Sequence, residues 1–310
     1  MNSEVFQDDI RPCGGGGFSN IYKGRIVHPS GQVERVIIKF PRVKIDDPDD
    51  IEDQTRRVHR EYKAWRMVKP HDNILPLLQI WEADERYPPA ILTPYCPSGC
   101  VKDFLKSNLT VDRLAIAKGI CNGLKHLHLN DIVHGDLTPV FTIFLPSSPE
   151  KFSCFGLTQR NVLLDNGVPR LCDFGRARVM TMEGFTASIV AGTIRYMAPE
   201  LIPSDEDESI LPEEVKLPKV TFESDVYAFS MLALEVVAGK SPFFYMPSEQ
   251  QVAVRLNLGE RPARDRYQVL RGPEWTGFWA LLQECWDKNP ASRPPIEKIV
   301  LRLPSNPPSS

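Results

Sequence analysis

The length, composition and charge of the chain are those of a soluble globular protein. Its 310 residues suit one large domain or two lobes that share a cleft, and a hydrophobic fraction of 42% is ample for a core. The net charge of −3 excludes bulk electrostatic attraction to nucleic acids or membranes, and no apolar run approaches the roughly 18–20 residues that cross a bilayer.

Targeting and redox features point to the cell interior. The polar, acidic N-terminal segment lacks the apolar centre of a signal peptide. The seven cysteines form no CxxC pair and no framework spacing, which favours reduced thiols over disulfides or zinc. We therefore expect a cytoplasmic or also nuclear protein that inserts in no membrane and binds no nucleic acid. The sequence does not indicate an oligomeric state.

The first part of the chain predicts a small β-rich lobe with one helix. Residues 11–40 alternate between strands and turns, and the segment 33–40 is β-branched and runs into Pro41. Residues 51–69 are charged and compatible with a helix that Pro70 stops. The apolar stripe of this helix would consist of Tyr62, Trp65, Met67 and Val68. Two more strands are predicted at 74–81 and 90–95.

The later part of the chain becomes mostly helical. Apolar residues at helical spacing predict a helix over 111–129, and 226–238 is so apolar that a helix there would be buried on all sides. The apolar positions of the first of these helices are Leu114, Ile116, Ile120, Leu124 and Leu127. The stretches 140–159 and 203–219 break the pattern, and the second is acidic and most simply a solvated loop. We expect 304–310 to be a disordered tail.

The glycine-rich segment 14–24, GGGGFSNIYKG, is suited to phosphate binding because glycines let backbone amides approach phosphate oxygens closely. A glycine run alone also fits a flexible turn or a dinucleotide-binding fingerprint, but such a fingerprint would open a helix. Here the chain continues as a strand through Ile21, which favours a hairpin that covers phosphates. The pattern of that hairpin uses Gly14 and Gly16, and Ser19 stands in place of its third glycine.

A lysine follows the hairpin, and a carboxylate on the next helix is available to hold it. Lys39 ends the strand segment VIIK; alone it would be taken for a surface residue, but after this hairpin a phosphate-binding role is favoured. Its ammonium group needs an acidic partner, for which Glu61 is the candidate. Glu52 and Asp53 are the alternatives, but each lies too near the start of the helix.

Further motifs follow in the rest of the chain, and each alone is weak evidence, because single polar residues are more often caps or turns. They are ILTPYCPSG at 91–99, HGDLTP at 134–139 with RNVLL at 160–164, LCDFG at 171–175, GTIRYMAPE at 192–200, SDVYAF at 224–229 and CWDKNPASRP at 285–294. Their common order along one chain makes the set far more specific than any member.

This set of motifs resembles the eukaryotic protein kinases. The segments GTIRYMAPE, CWDKNPASRP and HDNILPLL (71–78) are most similar to the tyrosine-kinase-like group of serine/threonine kinases, in the style of fungal members. The resemblance runs from about residue 11 to 303 and implies an α+β, two-lobed protein-kinase domain over 1–310. Its parts would be a small β-rich N-lobe with one key helix (about 1–95), a hinge (94–99) and a larger, mainly helical C-lobe (about 100–303).

The resemblance also implies an activity and a set of site residues. The expected reaction is transfer of the ATP γ-phosphate to serine or threonine hydroxyls of protein substrates, with Mg²⁺ as cofactor. The catalytic residues would be Asp136 as the base, with Lys39 and Glu61; the metal ligands would be Asn161 and Asp173. The ATP-binding residues would be Gly14, Gly16, Ser19, Ile21, Ile37, Lys39, Thr93, Cys96 and Leu163.

The resemblance also implies structural roles for His134, Phe174, Glu200, Asp225 and Arg293. Asp225 would brace the backbone of the catalytic loop, and Arg293 would form a buried bidentate bridge with Glu200. The alternative from another functional class is a pseudokinase, a scaffold that binds nucleotide or partners without turnover.

Two residues of the catalytic loop depart from the kinase pattern. Gly135 replaces the arginine that usually precedes the catalytic aspartate and pairs with a phosphate on the activation loop. Activity is therefore expected to depend weakly on phosphorylation of Thr181, Thr186 or Ser188. Thr138 replaces the lysine that touches the γ-phosphate in serine/threonine kinases, which weakens charge neutralisation in the transition state.

The loop is also interrupted by 20 residues, 140–159, that the kinase pattern does not contain. A family-specific loop is one interpretation, since lengthening a connection about fourfold costs only roughly 1.3 kcal/mol of closure entropy. Such a loop would have to hold Asp136 and Asn161 together, and a misplacement of about 1 Å can cost roughly 10²-fold in rate.

We favour the interpretation that 140–159 is a retained intron. Twenty codons are 60 nucleotides, in frame; valine codons begin with GT, and Gln159 can be encoded by CAG, the usual ends of an intron. The phenylalanine-, proline- and serine-rich composition implies pyrimidine-rich DNA. Excision places Asn161 five positions after Asp136, so we expect these two residues to be neighbours only in the shorter product.

Overall fold

The computed structural model describes residues 3–15, 19–44, 46–83, 87–137, 161–179, 194–202 and 219–304. Within these ranges a β-rich lobe precedes a mainly helical lobe, which confirms the predicted two-lobed α+β architecture. The segment 140–159, nearly all of 203–219 and the end of the tail lie outside the described residues.

The first lobe is built on one antiparallel sheet. Its strands are β1 (Glu4–Gln7), β2 (Gly14–Gly15), β3 (Ser19–Val27), β4 (Val33–Pro41), β5 (Gln79–Trp81) and β6 (Ala90–Pro94). The strand order is β1-β3-β4-β6-β5, with β2 also paired to β3. Side chains alternate between faces, and one face of β4 buries Val36 and Ile38 in a small core with Ile26 and Leu92.

The single helix of this lobe, α1 (Pro48–Met67), confirms the predicted helix but not its predicted apolar stripe. It begins at Asp47, whose side chain caps the backbone N–H of Asp50, with proline at the first helical position. Its buried residues are Val58, Glu61, Ala64 and Trp65, whereas Met67 is 44% exposed and Tyr62 is only half-buried. The inward face therefore includes a carboxylate, which an apolar pattern cannot indicate.

The second lobe contains the remaining helices and three short strand pairings. Its elements are α2 (Val101–Ser107), α3 (Arg113–His128), β7 (Ile132–Val133), β8 (Val162–Asp165), β9 (Val168–Leu171), β10 (Arg178–Val179), α4 (Phe222–Ala238), α5 (Glu249–Asn257), α6 (Thr276–Cys285) and α7 (Ile296–Arg302). β8 pairs with β9, β7 pairs with β10, and Cys100 forms an isolated bridge with Leu163.

The two helices predicted for the second lobe are confirmed as its core. All five apolar positions predicted for 111–129 are buried in α3. α4 is buried continuously over 224–237, as its composition predicted. A reciprocal capping box between Thr221 and Ser224 begins α4, and Gly239 ends it with a φ of 70°, a conformation that favours glycine.

One strand prediction needs correction, and β1 was not predicted. The strand predicted at 74–81 forms only over β5, because Pro76 interrupts the segment and Leu75 donates its N–H to Leu171 of the second lobe at 2.8 Å. Two of the four residues of β1, Val5 and Phe6, are apolar, and the strand forms because Glu4–Gln7 pair with the end of β3. Among the described residues, no helix is both long and apolar enough to cross a membrane.

Candidate functional site

A cleft lies between the two lobes and is lined by residues of both. The sheet register aims one face of the first lobe at it: Ile21 is opposite Lys39, and Ile37 is opposite Thr93. Because directly opposed residues point to the same face, all four predicted ATP-binding side chains line the cleft.

The remaining predicted ATP-binding residues are distributed around this cleft. Cys96 and Leu163 line it from the connecting segment and from β8. Gly14 pairs with Ile21, and Ser19 is buried at the start of β3, but neither lines the cleft. Gly16 lies outside the described residues.

Sequence reasoning missed several residues that line the cleft. They are Trp65, Leu75, Tyr95, Gly99, Cys100 and Cys172. Most lie within or next to motifs that were singled out for other residues, and that proximity is the signal that could have found them. Burial raises the pKa of the Cys96 thiol to about 11 and the pKa of Cys172 well above its usual range, so both are poor nucleophiles.

At one end of the cleft, Lys39 joins two carboxylates from distant segments. Its Nζ lies 2.7 Å from Glu61 Oε1 on α1 and 2.9 Å from Asp173 Oδ1 after β9. The side chains of Lys39, Glu61 and Asp173 are only 15%, 10% and 17% exposed, respectively. The structure thus brings together the lysine and the acidic partner selected from the sequence, rather than Glu52 or Asp53.

The charges of this cluster compensate one another. Burial works against the charged ammonium of Lys39, but Asp173 and then Glu61 more than offset that cost and raise its pKa. Burial also opposes ionisation of Asp173, and the adjacent Lys39 reverses the effect and lowers the pKa of this carboxyl. The lysine is therefore cationic and Asp173 anionic at neutral pH.

The segment that contains Asp136 is anchored from α4. Asp225 is almost completely buried, and its two carboxylate oxygens accept the backbone N–H groups of His134 and Gly135 at 2.7 and 2.8 Å. Nε2 of His128 lies 3.1 Å from the same carboxylate. His134 is fully buried, with Nε2 3.2 Å from the Cys172 carbonyl. This part of the loop is held on both sides.

Asp136 and Asn161 are in direct contact, contrary to the expectation that the intervening segment would keep them apart. The side-chain amide of Asn161 donates to the backbone carbonyl of Asp136. Asn161 is fully buried beside β8, and the backbone N–H of Cys172 donates to its carbonyl at 3.0 Å. The contact forms because Asp225 fixes one side of the gap and the β8–β9 pair fixes the other, whatever the length between them.

The carboxyl group of Asp136 is buried and polarised. Burial raises its pKa; Arg176, whose Nη1 lies 3.6 Å from Oδ1, opposes that shift, and nearby Asp173 adds to it. Among the described residues, Asp136 Oδ1 has no hydrogen-bond donor. A buried carboxylate with an unused acceptor and a raised pKa is suited to accept a proton.

Two oxygen donors near Asp136 fit a magnesium ion. Oδ1 of Asn161 is buried and accepts no hydrogen bond from any described residue, and Asp173 supplies an anionic carboxylate. Mg²⁺ prefers oxygen ligands and commonly uses one or two carboxylates together with substrate phosphates. The described ranges contain no cluster of three or more His, Cys, Asp or Glu that could bind a metal without such a substrate.

Phe174 fixes the backbone next to Asp173. It is fully buried, with its ring centroid 5.0 Å from that of Trp65 on α1 and 5.4 Å from that of His134. Asp173 has a φ of 66°, a strained conformation for a residue with a side chain. Packing of Phe174 between the two lobes thus helps to hold the Asp173 carboxylate toward Lys39.

A bidentate ion pair connects distant parts of the second lobe, and the burial predicted for it holds only for the arginine, because the Glu200 side chain is 29% exposed. The two terminal nitrogens of Arg293 lie 2.6 and 2.7 Å from the two carboxylate oxygens of Glu200. The Arg293 side chain has no exposed surface and also donates to the backbone carbonyls of Glu223 and Asp287 at 2.9 and 3.0 Å. Its guanidinium lies over the ring of Tyr227 at 5.1 Å.

Comparison with known proteins identifies the family. The family described as protein tyrosine and serine/threonine kinase matches residues 9–142 and 155–303. The chain belongs to this protein kinase family. The interruption of the match falls within 140–159, the segment that separates the two parts of the catalytic loop.

Individual relatives carry serine/threonine kinase names. Serine/threonine-protein kinase STY46 of Arabidopsis thaliana is 26% identical over 93% of this chain and 42% of its own length. Serine/threonine-protein kinase 12 of the same plant is 27% identical over 84% of this chain and 50% of its length. RGS domain-containing serine/threonine-protein kinase A of Dictyostelium discoideum is 25% identical over 91% and 21%. The kinase domain thus spans about half, or less, of these relatives.

Proposed function

We propose that this kinase domain transfers the γ-phosphate of ATP to serine or threonine hydroxyls of protein substrates. The observation that carries the proposal is the joining of Lys39 to Glu61 and Asp173 beside the cleft between the two lobes. The serine/threonine kinase names of its relatives favour the same acceptor class.

The chemistry follows from the placement of these residues. The substrate hydroxyl oxygen bonds to the γ-phosphorus while the bond from that phosphorus to the β–γ bridging oxygen breaks, and ADP leaves with the electron pair. Asp136 accepts the hydroxyl proton, and the Lys39 ammonium binds phosphate oxygens. The apolar side chains that line the cleft, including Ile21 and Leu163, enclose the adenine base of ATP and exclude water from it.

Mg²⁺ is the cofactor that this site would use. Asn161 and Asp173 would hold it, and it would supply charge neutralisation at the phosphates. The polypeptide itself positions both ligands: Asn161 through its bond to the Asp136 carbonyl, and Asp173 through Lys39 and the buried Phe174.

The pseudokinase alternative is disfavoured because the polar groups expected to bind phosphate and metal are all present. Removal of the segment 140–159 provides a test of it. We expect the chain with and without 140–159 to phosphorylate a protein substrate with kcat values within about tenfold, since the contact of Asn161 with Asp136 forms across the segment. The assay is steady-state phosphate transfer from labelled ATP, with Lys39→Ala as the disabled control. Absence of turnover in both forms would favour the pseudokinase.

The retained-intron interpretation of 140–159 stays a proposal about the gene rather than about the fold. The interruption of the family match at this place is consistent with it, and the reading frame and possible splice ends support it. Sequencing of cDNA across 139–160 tests it directly. Transcripts that all retain the 60 nucleotides would refute it.

Activation-loop phosphorylation is expected to matter little, because Gly135 cannot pair with a phosphate as an arginine would. We predict that Thr181→Ala, Thr186→Ala and Ser188→Ala combined leave kcat/KM within about tenfold of the parent chain. These three positions lie outside the described residues. The measurement compares phosphatase-treated parent and triple variant, and loss of turnover in the variant would contradict the prediction.

The finer classification and the cellular setting are also proposals. The tyrosine-kinase-like group is supported by the similarity to the STY46 and STY17 kinases of Arabidopsis thaliana, whereas the fungal style has no support among the relatives named here. We propose a cytoplasmic or also nuclear location, with proteins as substrates and no nucleic-acid ligand, on the charge and cysteine pattern.

A further inference from the structure

The charge of the helix α1 changes from acidic to basic along its length. Residues 46–53 contain six carboxylates and no cation, whereas residues 54–69 contain six lysines and arginines and a single acid, Glu61. Glu61 lies on the buried side of the helix, where it contacts Lys39. The outward side of the basic half therefore carries cations without carboxylates.

Exposed residues of both signs share one outward side of the helix, which we call the outer face of α1. Residues three and four positions apart are neighbours on a helix surface. The side chains of Glu52 and Arg56 on this face are 67% and 58% exposed, respectively. The outer face consists of the exposed residues Asp49, Glu52, Arg56, Arg60, Lys63 and Arg66.

Neither the helix dipole nor pairing within the helix accounts for the basic half of the outer face. The dipole favours acids in the first turn and cations in the last, but Arg60 and Lys63 lie before the last turn. Arg56 bonds to the preceding Glu52 and Asp53, and a solvated helix would continue such alternation of sign. From Arg56 onward the outer face instead places like charges three and four positions apart, where they repel.

The outer face is complementary to a second copy of itself that runs in the opposite direction. With Arg56 on the two-fold axis, Asp49 of each copy lies opposite Lys63 of the other. Glu52 lies opposite Arg60 in the same register, because position 56 is the midpoint of both pairs. An isologous contact forms each of these ion pairs twice. A uniformly anionic partner, such as a lipid surface, would be repelled by the acidic end of the same face.

We propose that the outer face of α1 is a self-association surface, through which two copies of this chain form an antiparallel electrostatic dimer. The contact is reversible and sensitive to salt, because the charges are exposed and a single helix face is a small interface. We expect a dissociation constant of roughly 10–100 µM at low ionic strength. The proposal goes beyond the proposed phosphoryl transfer and does not rest on it.

The test makes the outer face uniform in charge in two different ways. Arg60→Glu/Lys63→Glu/Arg66→Glu gives an acidic variant, and Asp49→Lys/Glu52→Lys/Asp53→Lys gives a basic one. Sedimentation equilibrium of the full chain in about 0.05 M salt is expected to show each variant alone self-associating at least about tenfold more weakly than the parent. An equimolar mixture of the two variants is expected to associate at least as tightly as the parent. Salt at about 1 M, where the Debye length is about 3 Å, is expected to weaken the parent dimer at least about tenfold.

A matched control separates the outer face from net charge. Arg255→Glu/Arg266→Glu/Arg302→Glu changes the net charge by as much as the acidic variant does, at exposed arginines of the second lobe. We expect its self-association to stay within about threefold of the parent. Circular dichroism checks that each variant is folded, and Arg60→Gln/Lys63→Gln/Arg66→Gln, which introduces good helix formers, is expected to lose self-association without a reversal of charge.

Several results would overturn the proposal. One is a parent chain that stays monomeric at about 200 µM in low salt, well above the expected dissociation constant. Another is a parent dimer that the acidic and basic variants do not weaken, or a mixture of the two that associates no more tightly than either alone. A monomeric parent that binds vesicles containing phosphatidylserine, with binding lost in the acidic variant, would assign the face to a membrane instead.

Discussion

Replacement of Asp136 by asparagine is expected to lower kcat by roughly 10²–10⁴-fold, the contribution of a well-placed general base. Asparagine keeps the size of the side chain and leaves the Asp136 backbone carbonyl, which Asn161 contacts, in place. Nucleotide affinity is expected to change by less than about threefold, because Asp136 does not line the cleft. Steady-state kinetics with calorimetric titration of Mg²⁺·ATP separates the two effects.

The pH dependence of the parent chain provides a further check on the same residue. Burial raises the pKa of Asp136, and Asp173 adds to the shift while Arg176 and His134 oppose it. A base must be ionised, so kcat/KM is expected to fall as pH drops through a value above the ordinary 3.8. Asp136→Asn has no such group, and its residual activity should lack this acid limb.

Stability distinguishes loss of the base from loss of the fold. A carboxyl whose pKa is higher in the folded state than in the unfolded state binds its proton more tightly in the folded state. The free energy of unfolding therefore falls as pH rises from the unfolded-state pKa to the folded-state pKa, and the loss is complete above the latter. The melting temperature of Asp136→Asn at neutral pH is therefore expected to equal or exceed that of the parent. Asp265→Asn, at a side chain that is 76% exposed, is the matched control, and a kcat equal to this control would refute the role of Asp136.

Residues whose chemistry is local to a motif could be predicted from the sequence. A buried ammonium needs a carboxylate partner, and a carboxylate one or more turns into the helix predicted the pair of Lys39 and Glu61. In the structure, Lys39 Nζ and Glu61 Oε1 lie 2.7 Å apart. The fully buried α4 followed from composition alone, since a helix that is apolar on every face has no side to give to water. In both cases the relevant interaction is determined by residue type.

Features that depend on a distant partner could not be predicted. β1 is too short for its pattern to predict a strand, and it forms because the end of β3 offers it backbone partners and the small core of the first lobe accepts Val5. The contact of Asn161 with Asp136 depends on Asp225 and the β8–β9 pair, neither of which is visible in the length of 140–159. Arg176 belongs to no motif that the sequence singled out, and its Nη1 lies 3.6 Å from Asp136 Oδ1 only because the fold brings the two segments together.

Replacement of Arg293 by alanine is expected to lower the free energy of unfolding by about 2–3 kcal/mol. The Arg293 side chain has no exposed surface, but Glu200 is 29% exposed and gains water after the change, so the loss is smaller than for an ion pair buried on both sides. The Arg293 guanidinium donates hydrogen bonds to both carboxylate oxygens of Glu200 and to the backbone carbonyls of Glu223 and Asp287. Truncation leaves these acceptors without their donor and opens a cavity beside Tyr227.

The size of this effect depends on burial and on the forked shape of the donor, which two further variants separate. Arg293→Lys keeps the charge but cannot donate to both oxygens of Glu200 and to two carbonyls at once, so it is expected to recover only part of the loss.

Arg302→Ala removes a bidentate pair with Glu284 whose side chains are 43% and 46% exposed, and an exposed pair of this kind contributes only about 0–1 kcal/mol. Thermal and denaturant unfolding of the three variants measures the order. A midpoint for Arg293→Ala as close to the parent as that of Arg302→Ala would show that Glu200 relaxes into solvent and that the bridge does not stabilise the second lobe.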